Sequence, residues 1–182
     1  MKTPIIFLLA AFSIAATAQS KPHAASEQST FNLGVDDPVV QRPVMVSDSE
    51  LAALADDETM HRELDHRDPP ITKLTREGLE AGVIHLHGPN ERDLVVVGSG
   101  GPFIGANIGP FWVIRDLPSG PQVVFSTIAL QITIQKTSFK GLRNIEAFAA
   151  TAVEGTTVYF RFDGRKYVEY KEKSGPLGKL GK

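Results

Sequence analysis

Two histidines, His85 and His87, stand two residues apart in a segment whose apolar residues predict a β-strand. Successive side chains of a strand point to opposite faces, so both imidazoles are expected on the same side. Imidazole nitrogens bind zinc or copper, and Glu91 or Asp93 could add an oxygen ligand. Because two histidines and one carboxylate are an incomplete ligand set, the competing interpretation is a pair of surface histidines without metal.

Other residues that could carry out catalysis lack the required spacing. His61 and His66 are five apart, which places them on different faces of a helix and not in the i, i+4 pair of a zinc protease. The segment Gly98-Ser99-Gly100-Gly101 has neither the spacing of a nucleophile elbow nor the Lys-Ser/Thr end of a phosphate loop. The chain contains no cysteine. The sequence therefore predicts a protein that is not an enzyme and has no cofactor.

Aromatic and polar side chains around a Gly-rich loop, residues 98–110, indicate binding instead. Exposed Trp and Tyr with a neighbouring Arg, such as Arg161, could contact a protein or a glycan. The alternative is core packing, which is expected for most of the aromatic residues. The candidate binding residues are Phe103, Asn107, Trp112, Arg115 and Tyr159.

Composition limits the class of partner. The formal net charge is −2, whereas binding to nucleic acid requires a basic face, so no nucleic-acid partner is predicted. Acidic residues concentrate between Ser47 and Asp68, and basic residues between Arg161 and Lys182. These runs are either solvated surfaces or contact sites for each other or for a charged partner.

The amino terminus has the three parts of a secretory signal. Lys2 is followed by an apolar run from Ile5 to Ala16, and small residues then lead to Ala18. A membrane anchor would need about 20 apolar residues, more than this run contains. We expect cleavage after residue 18, a mature chain without a membrane span, and a periplasmic or secreted location.

Patterning then divides the mature chain. The capping-box spacing of Ser47 and Glu50 starts a helix, and prolines at 69 and 70 end it. A second short helix is predicted over 72–80, and the clean alternation over 128–135 predicts one strand. The predicted segments are a signal peptide (1–18), a disordered leader (19–45), an acidic helix (46–70), a β-domain (71–170) and a flexible basic tail (171–182).

Two stretches of the β-domain align at an offset of about 50 residues. Residues 92–97 align with 143–148, and residues 111–115 align with 158–162. Such a period is typical of blade-like units, although antiparallel sheets with aromatic hairpins can also align by chance. The predicted fold is mainly β, an antiparallel sheet or small sandwich, with two blade-like repeats as a variant and a short acidic helix before it.

The segments Asp93–Gly98 and Phe111–Ile114 carry a resemblance to a known family. They resemble the "DLVVG" and aromatic strands of the FG-GAP repeat of integrin-type β-propellers. The calcium loop of that family is not matched, because Asn90, Glu91 and Asp93 supply fewer oxygens than calcium requires. The hairpin from Tyr159 to Tyr167 is similar to the end of uncharacterised secreted bacterial proteins, which implies no function.

Three functions remain open at this point. The first is an exported, non-catalytic protein that binds a protein or cell-envelope ligand through loop 98–110 and the aromatic strands. The second is a metal-dependent hydrolase that uses His85 and His87. The third is an envelope component that self-associates through exposed sheet edges.

Overall fold

A computed structural model describes residues 27–34, 38–66, 73–100, 103 and 108–177. The predicted signal peptide, the candidate binding residue Asn107 and part of loop 98–110 (residues 101, 102 and 104–107) lie outside these ranges. Two helices, α1 (Asp48–Ala55) and α2 (Glu58–Asp65), precede most of the strands. The strands are β1 (Thr30–Asn32), β2 (Pro43–Val44), β3 (Leu79–Ile84), β4 (Asp93–Gly98), β5 (Gly109–Leu117), β6 (Gly120–Ala129), β7 (Gln131–Phe139), β8 (Leu142–Ala150), β9 (Glu154–Phe162) and β10 (Tyr167–Pro176).

The strands form two antiparallel sheets of five strands each, packed as a small β-sandwich. Sheet I has the order β2-β3-β4-β5-β6, and sheet II has the order β1-β7-β8-β9-β10. The core between the sheets is apolar, as expected where two inner faces meet. It includes Val95, Val97, Phe111 and Val113 from sheet I, and Ile132, Ile134, Ile145 and Phe162 from sheet II.

Sheet I is covered on its other face as well. Residues that alternate with the core residues, among them Leu94, Val96 and Trp112, pack against Leu54 of α1 and Met60 of α2. Every residue of β4 is therefore buried, which explains the continuous apolar run from Leu94 to Val97. The prediction of a mainly β fold is confirmed, with the helices forming a third layer over sheet I.

The predicted acidic helix is two helices of eight residues. The capping box of Ser47 and Glu50 begins α1. The carboxylate of Asp57 then begins α2, because it accepts hydrogen bonds from the backbone of Thr59 and Met60. The short helix predicted over 72–80 is wrong: Gly78 adopts a φ of 76°, and β3 starts at Leu79.

The strand predicted over 128–135 is also wrong, because the chain passes from β6 of sheet I to β7 of sheet II at Leu130. Ala129 points into the core before this point, and Ile132 points into it afterwards. Both strands direct one side at the same core, so the apolar pattern does not reveal the change of sheet.

Two predicted flexible segments contain strands. Within the leader, β1 pairs with β7 and β2 pairs with β3, and the fully buried side chain of Phe31 anchors β1. The predicted tail begins inside β10, which continues to Pro176 because it pairs with β9 as far as Glu154. Strands as short as β1 and β2 give no recognisable period in a sequence.

The two aligned stretches occupy equivalent places in the two sheets. β4 and β8 are third in their sheets, and β5 and β9 are fourth. The aligned side chains, however, point to different surroundings. Leu94 faces the helices, whereas the aligned Ile145 faces the inter-sheet core. The two stretches therefore lie in sheets packed face to face, and a duplication stays a prediction.

Candidate functional site

The outer face of sheet II, which points away from the inter-sheet core, carries a group of aromatic and basic side chains. On β9, Phe160 and Phe162 pack toward the core, so Tyr159 and Arg161 lie on the outer face. We call the following six residues the cation–aromatic row: Phe139, Tyr159, Arg161, Tyr170, Lys171 and Lys173.

Ring-to-cation contacts hold the row together. The guanidinium carbon of Arg161 lies 4.7 Å from the ring centre of Phe139 and 5.4 Å from that of Tyr170. The rings of Tyr170 and Tyr159 are 6.3 Å apart and tilted by 57°. At the far end, the Nζ atoms of Lys171 and Lys173 lie 5.4 and 5.8 Å from the ring centre of Tyr159. Each separation is within the range of an attractive cation–π or aromatic contact.

A β-bulge in the edge strand β10 makes this arrangement possible. Val168 pairs with Arg161 and Lys171 pairs with Tyr159, so the register shifts between Glu169 and Lys171. Alternation from Val168 places Tyr170 on the outer face, and the extra residue brings Lys171 to the same face, opposite Tyr159. The bulge therefore sets a cation directly beside an aromatic ring in the row.

The cations of the row are not neutralised nearby. Within the described ranges, no carboxylate forms an ion pair with Arg161, Lys171 or Lys173. An acidic side chain on the neighbouring strand, Glu146, pairs across from Tyr159 and accepts a hydrogen bond from Gln135. Burial raises the pKa of the Tyr159 phenol, and Glu146 and Tyr170 raise it further, so Tyr159 remains a neutral hydrogen-bond donor at pH 7.

The rest of this face, on β1, β7 and β8, is rich in amides and hydroxyls. Asn32 donates to Gln131, and Gln131 donates to Thr133. The hydroxyls of Thr30 and Thr133 are 3.4 Å apart. Outer-face amides and hydroxyls are thus held by one another beside the cation–aromatic row.

His85 and His87 lie after the end of β3, in the connection to β4, and not on a strand. Both line a polar groove of about 400 Å³ with Lys136 and Arg143. The ring nitrogen Nδ1 of His85 is 2.5 Å from the carbonyl oxygen of Glu91. In the part of the chain that the structure describes, no three His, Asp or Glu side chains come together as a metal site.

The carboxylate of Asp93, a predicted oxygen ligand, already has hydrogen-bond and ion-pair partners within the protein. It is 2 % exposed, accepts a hydrogen bond from the backbone of Leu86, and lies 3.5 Å from Arg115. Burial raises the pKa of Asp93, and the contacts with Leu86 and Arg115 offset only part of that effect. Arg115 in turn binds Glu91 at 3.1 Å. These groups form an ionic network around the buried carboxylate of Asp93 and not an open ligand set.

The predicted binding residues separate into core and surface. Trp112 is fully buried, and Phe103, 2 % exposed, packs edge-on against it with ring centres 6.3 Å apart. Arg115 belongs to the ionic network described above. Only Tyr159 lies on the outer face of sheet II, and Asn107 lies outside the described residues.

Sequence reasoning missed most of the row as a site. Phe139 and Tyr170 are 39 % and 42 % exposed, which is unusual for such large apolar rings. The available signal was the basic composition after Arg161 combined with Tyr159 and Tyr170. The contact with Phe139 depends on the register between distant strands, which the sequence does not give.

Comparisons with known proteins give no relative. No protein-family model, no curated protein and no solved structure matches the chain. The resemblance to the FG-GAP repeat therefore stays a prediction. Among the described residues, none of the helices is both long enough and apolar enough to cross a membrane.

Proposed function

We propose that this chain is an exported, non-catalytic protein that binds a protein or cell-envelope ligand on the cation–aromatic row. The observation that supports the proposal is the exposure of Phe139 and Tyr170 beside three cations that have no acidic partner in the described residues. Exposed aromatic and arginine side chains are the residue types that dominate binding energy at interfaces. Export is proposed from the signal-like amino terminus.

The row replaces loop 98–110 as the proposed contact surface. Trp112 and Phe103 are core residues that support sheet I, so their substitution would damage the fold before it revealed a contact. By contrast, Arg161, Tyr170, Lys171 and Lys173 are exposed. Their substitution changes a surface and leaves the inter-sheet core in place.

The alternative of a metal-dependent hydrolase has less support. His85 and His87 share a groove, but its other charged lining residues are Glu27, Lys136 and Arg143. Glu27 already binds Arg143 at 3.0 Å and accepts a hydrogen bond from the backbone of His85. A carboxylate in an ion pair is a poor candidate for a third ligand.

The proposal is tested by capture. The full purified chain is immobilised, envelope extract is passed over it, and retained components are identified by mass spectrometry. We expect one component to be retained near stoichiometrically, and its retention to fall roughly tenfold, about 1.4 kcal/mol, in the double variant Y159A/R161A.

Arg62→Ala is the matched control, because Arg62 lies on α2 over sheet I and its loss also removes one positive charge. Thermal unfolding shows whether each variant keeps its fold. If R62A lowers retention as much as the double variant, or if nothing is retained near stoichiometrically, the row is not the binding surface.

A further inference from the structure

The row has an elongated shape that favours an extended ligand. Arg161 lies between the rings of Phe139 and Tyr170, Tyr159 follows, and Lys171 and Lys173 stand at the far end. Rings and cations are therefore in contact with one another from Phe139, at the end of β7, along β9 and β10 to Lys173. A compact ligand would contact one or two of these groups, whereas a polymer chain could contact all of them.

The chemistry of the surrounding face differs from that of a protein interface. The centre of such an interface is apolar and poor in lysine. Here, two of the three cations are lysines, and the neighbouring strands present amides and hydroxyls. These side chains are Thr30, Asn32, Gln131, Thr133, Gln135 and Thr137. Amides and hydroxyls both donate and accept hydrogen bonds, which matches the hydroxyl groups of sugars.

From these features we propose that the ligand is an acidic polysaccharide, a chain of sugar rings that carry carboxylate, sulfate or phosphate groups. This inference rests on the proposed binding function of the same row. The C–H faces of the sugars pack against the rings of Tyr159, Tyr170 and Phe139, and the anionic groups meet Arg161, Lys171 and Lys173. The phenol of Tyr159, neutral at pH 7, donates to a sugar oxygen.

Charge argues against two other extended polyanions. The overall net charge is −2, so the molecule lacks the broad positive field that draws in nucleic acid. Glu146 beside Tyr159 also opposes an anion in every position along the row. A polymer with neutral rings between its charges fits better than a nucleic acid or an acidic peptide, whose charges recur at every unit.

The test measures binding of the full chain to immobilised polymers at equal mass. The probes are hyaluronate and gellan as acidic polysaccharides with uncharged sugars between their charges, dextran as a neutral one, and poly-glutamate and single-stranded DNA as other polyanions. We expect the acidic polysaccharides to bind at least tenfold more tightly than the other three. Raising the salt concentration should weaken their binding, because ion pairs at an exposed surface are screened.

The double variant Y159A/Y170A separates this site from simple ion exchange. We expect it to lose roughly tenfold in affinity for the acidic polysaccharides although its charge is unchanged, and R62A to lose none. If poly-glutamate or DNA binds equally, or if Y159A/Y170A binds as well as the parent chain, the inference is overturned. If no polysaccharide binds but envelope capture still depends on the row, the proposed binding function stands and the acidic polysaccharide is wrong.

Discussion

The indole Nε1 of Trp112 donates a hydrogen bond of 2.9 Å to Oδ1 of Asp57. The same oxygen accepts from the backbone nitrogens of Thr59 and Met60, at 3.0 and 3.3 Å. One carboxylate therefore begins α2 and also satisfies the buried indole of a central strand. This shared atom fixes the position of the helical layer on sheet I.

Replacing Asp57 by alanine should remove both functions at once. The lost helix cap costs about 1 kcal/mol, and leaving the buried indole N–H unpaired costs about 1–3 kcal/mol more. Asp57→Asn keeps an acceptor oxygen in place and should lose much less stability. Urea unfolding measures the free energy of unfolding of each variant. Equal losses for the alanine and asparagine variants would show that Oδ1 does not hold the two elements together.

Glu50 should make stability depend on pH in the acidic range. Burial alone would raise the pKa of Glu50, but hydrogen bonds from Ser47 and the ion pair with Arg92 together lower it below its ordinary 4.5. Because folding lowers the pKa of Glu50, its ionised carboxylate stabilises the folded state above pH 4.5. This stabilisation is lost as the pH falls through the folded-state pKa.

In the variant Glu50→Gln, the loss of stability on acidification should therefore be shallower. At pH 7 the variant should be about 1–2 kcal/mol less stable, because a charge-assisted cap is weakened. Arg92→Met, which removes one cause of the lowered pKa of Glu50, should also reduce the loss of stability between pH 7 and pH 3. Urea unfolding from pH 7 to pH 3 measures both effects. A Glu50→Gln variant with the parent's full acid dependence would contradict the assignment.

Tyr167 should control stability in the alkaline range. Its buried hydroxyl donates to the carbonyl of Arg143 at 2.6 Å. Burial raises the pKa of this phenol well above its ordinary 10.0, and the nearby Asp93 raises it further. Because the folded-state pKa is raised, the stabilisation is complete below pH 10 and is lost as the pH rises through that higher value.

The variant Tyr167→Phe should lose about 1 kcal/mol at neutral pH with the hydrogen bond. Its stability should then fall less steeply above pH 10, since no buried phenol has to ionise. Urea unfolding between pH 8 and pH 11 provides the comparison, and absorbance at 295 nm counts the phenols that ionise late. If the free energies of unfolding of the parent and the variant fall in parallel above pH 10, Tyr167 does not cause the alkaline loss of stability.

The sequence predicts the parts of the fold that depend on local signals. The capping box at Ser47 and the apolar run of β4 each depend on residues close together in the chain, and the structure has both. Strand alternation cannot tell whether a second face is exposed or covered. For that reason the sequence allows Trp112 as a candidate binding residue, although the helical layer buries it.

The candidate site was less predictable for the same physical reason. Tyr159 was identified from its strand, but the row depends on Phe139 and Tyr170 reaching it across other strands. The bulge between Glu169 and Lys171 brings Lys171 opposite Tyr159, and no residue type in the segment marks it. Register and bulges are properties of paired strands, which a single strand's sequence does not contain.

The strand pairing has a consequence for the order of folding. Every strand pair of the described sheets joins consecutive strands, except that β1 pairs with β7, where Thr30 lies opposite Thr133. Closing a loop of about 100 residues costs entropy that the local hairpins do not. We therefore expect the two meanders to collapse first and the β1 segment to dock last. During synthesis on the ribosome, β1 would be the first strand to leave the ribosome and the last to pair within its sheet.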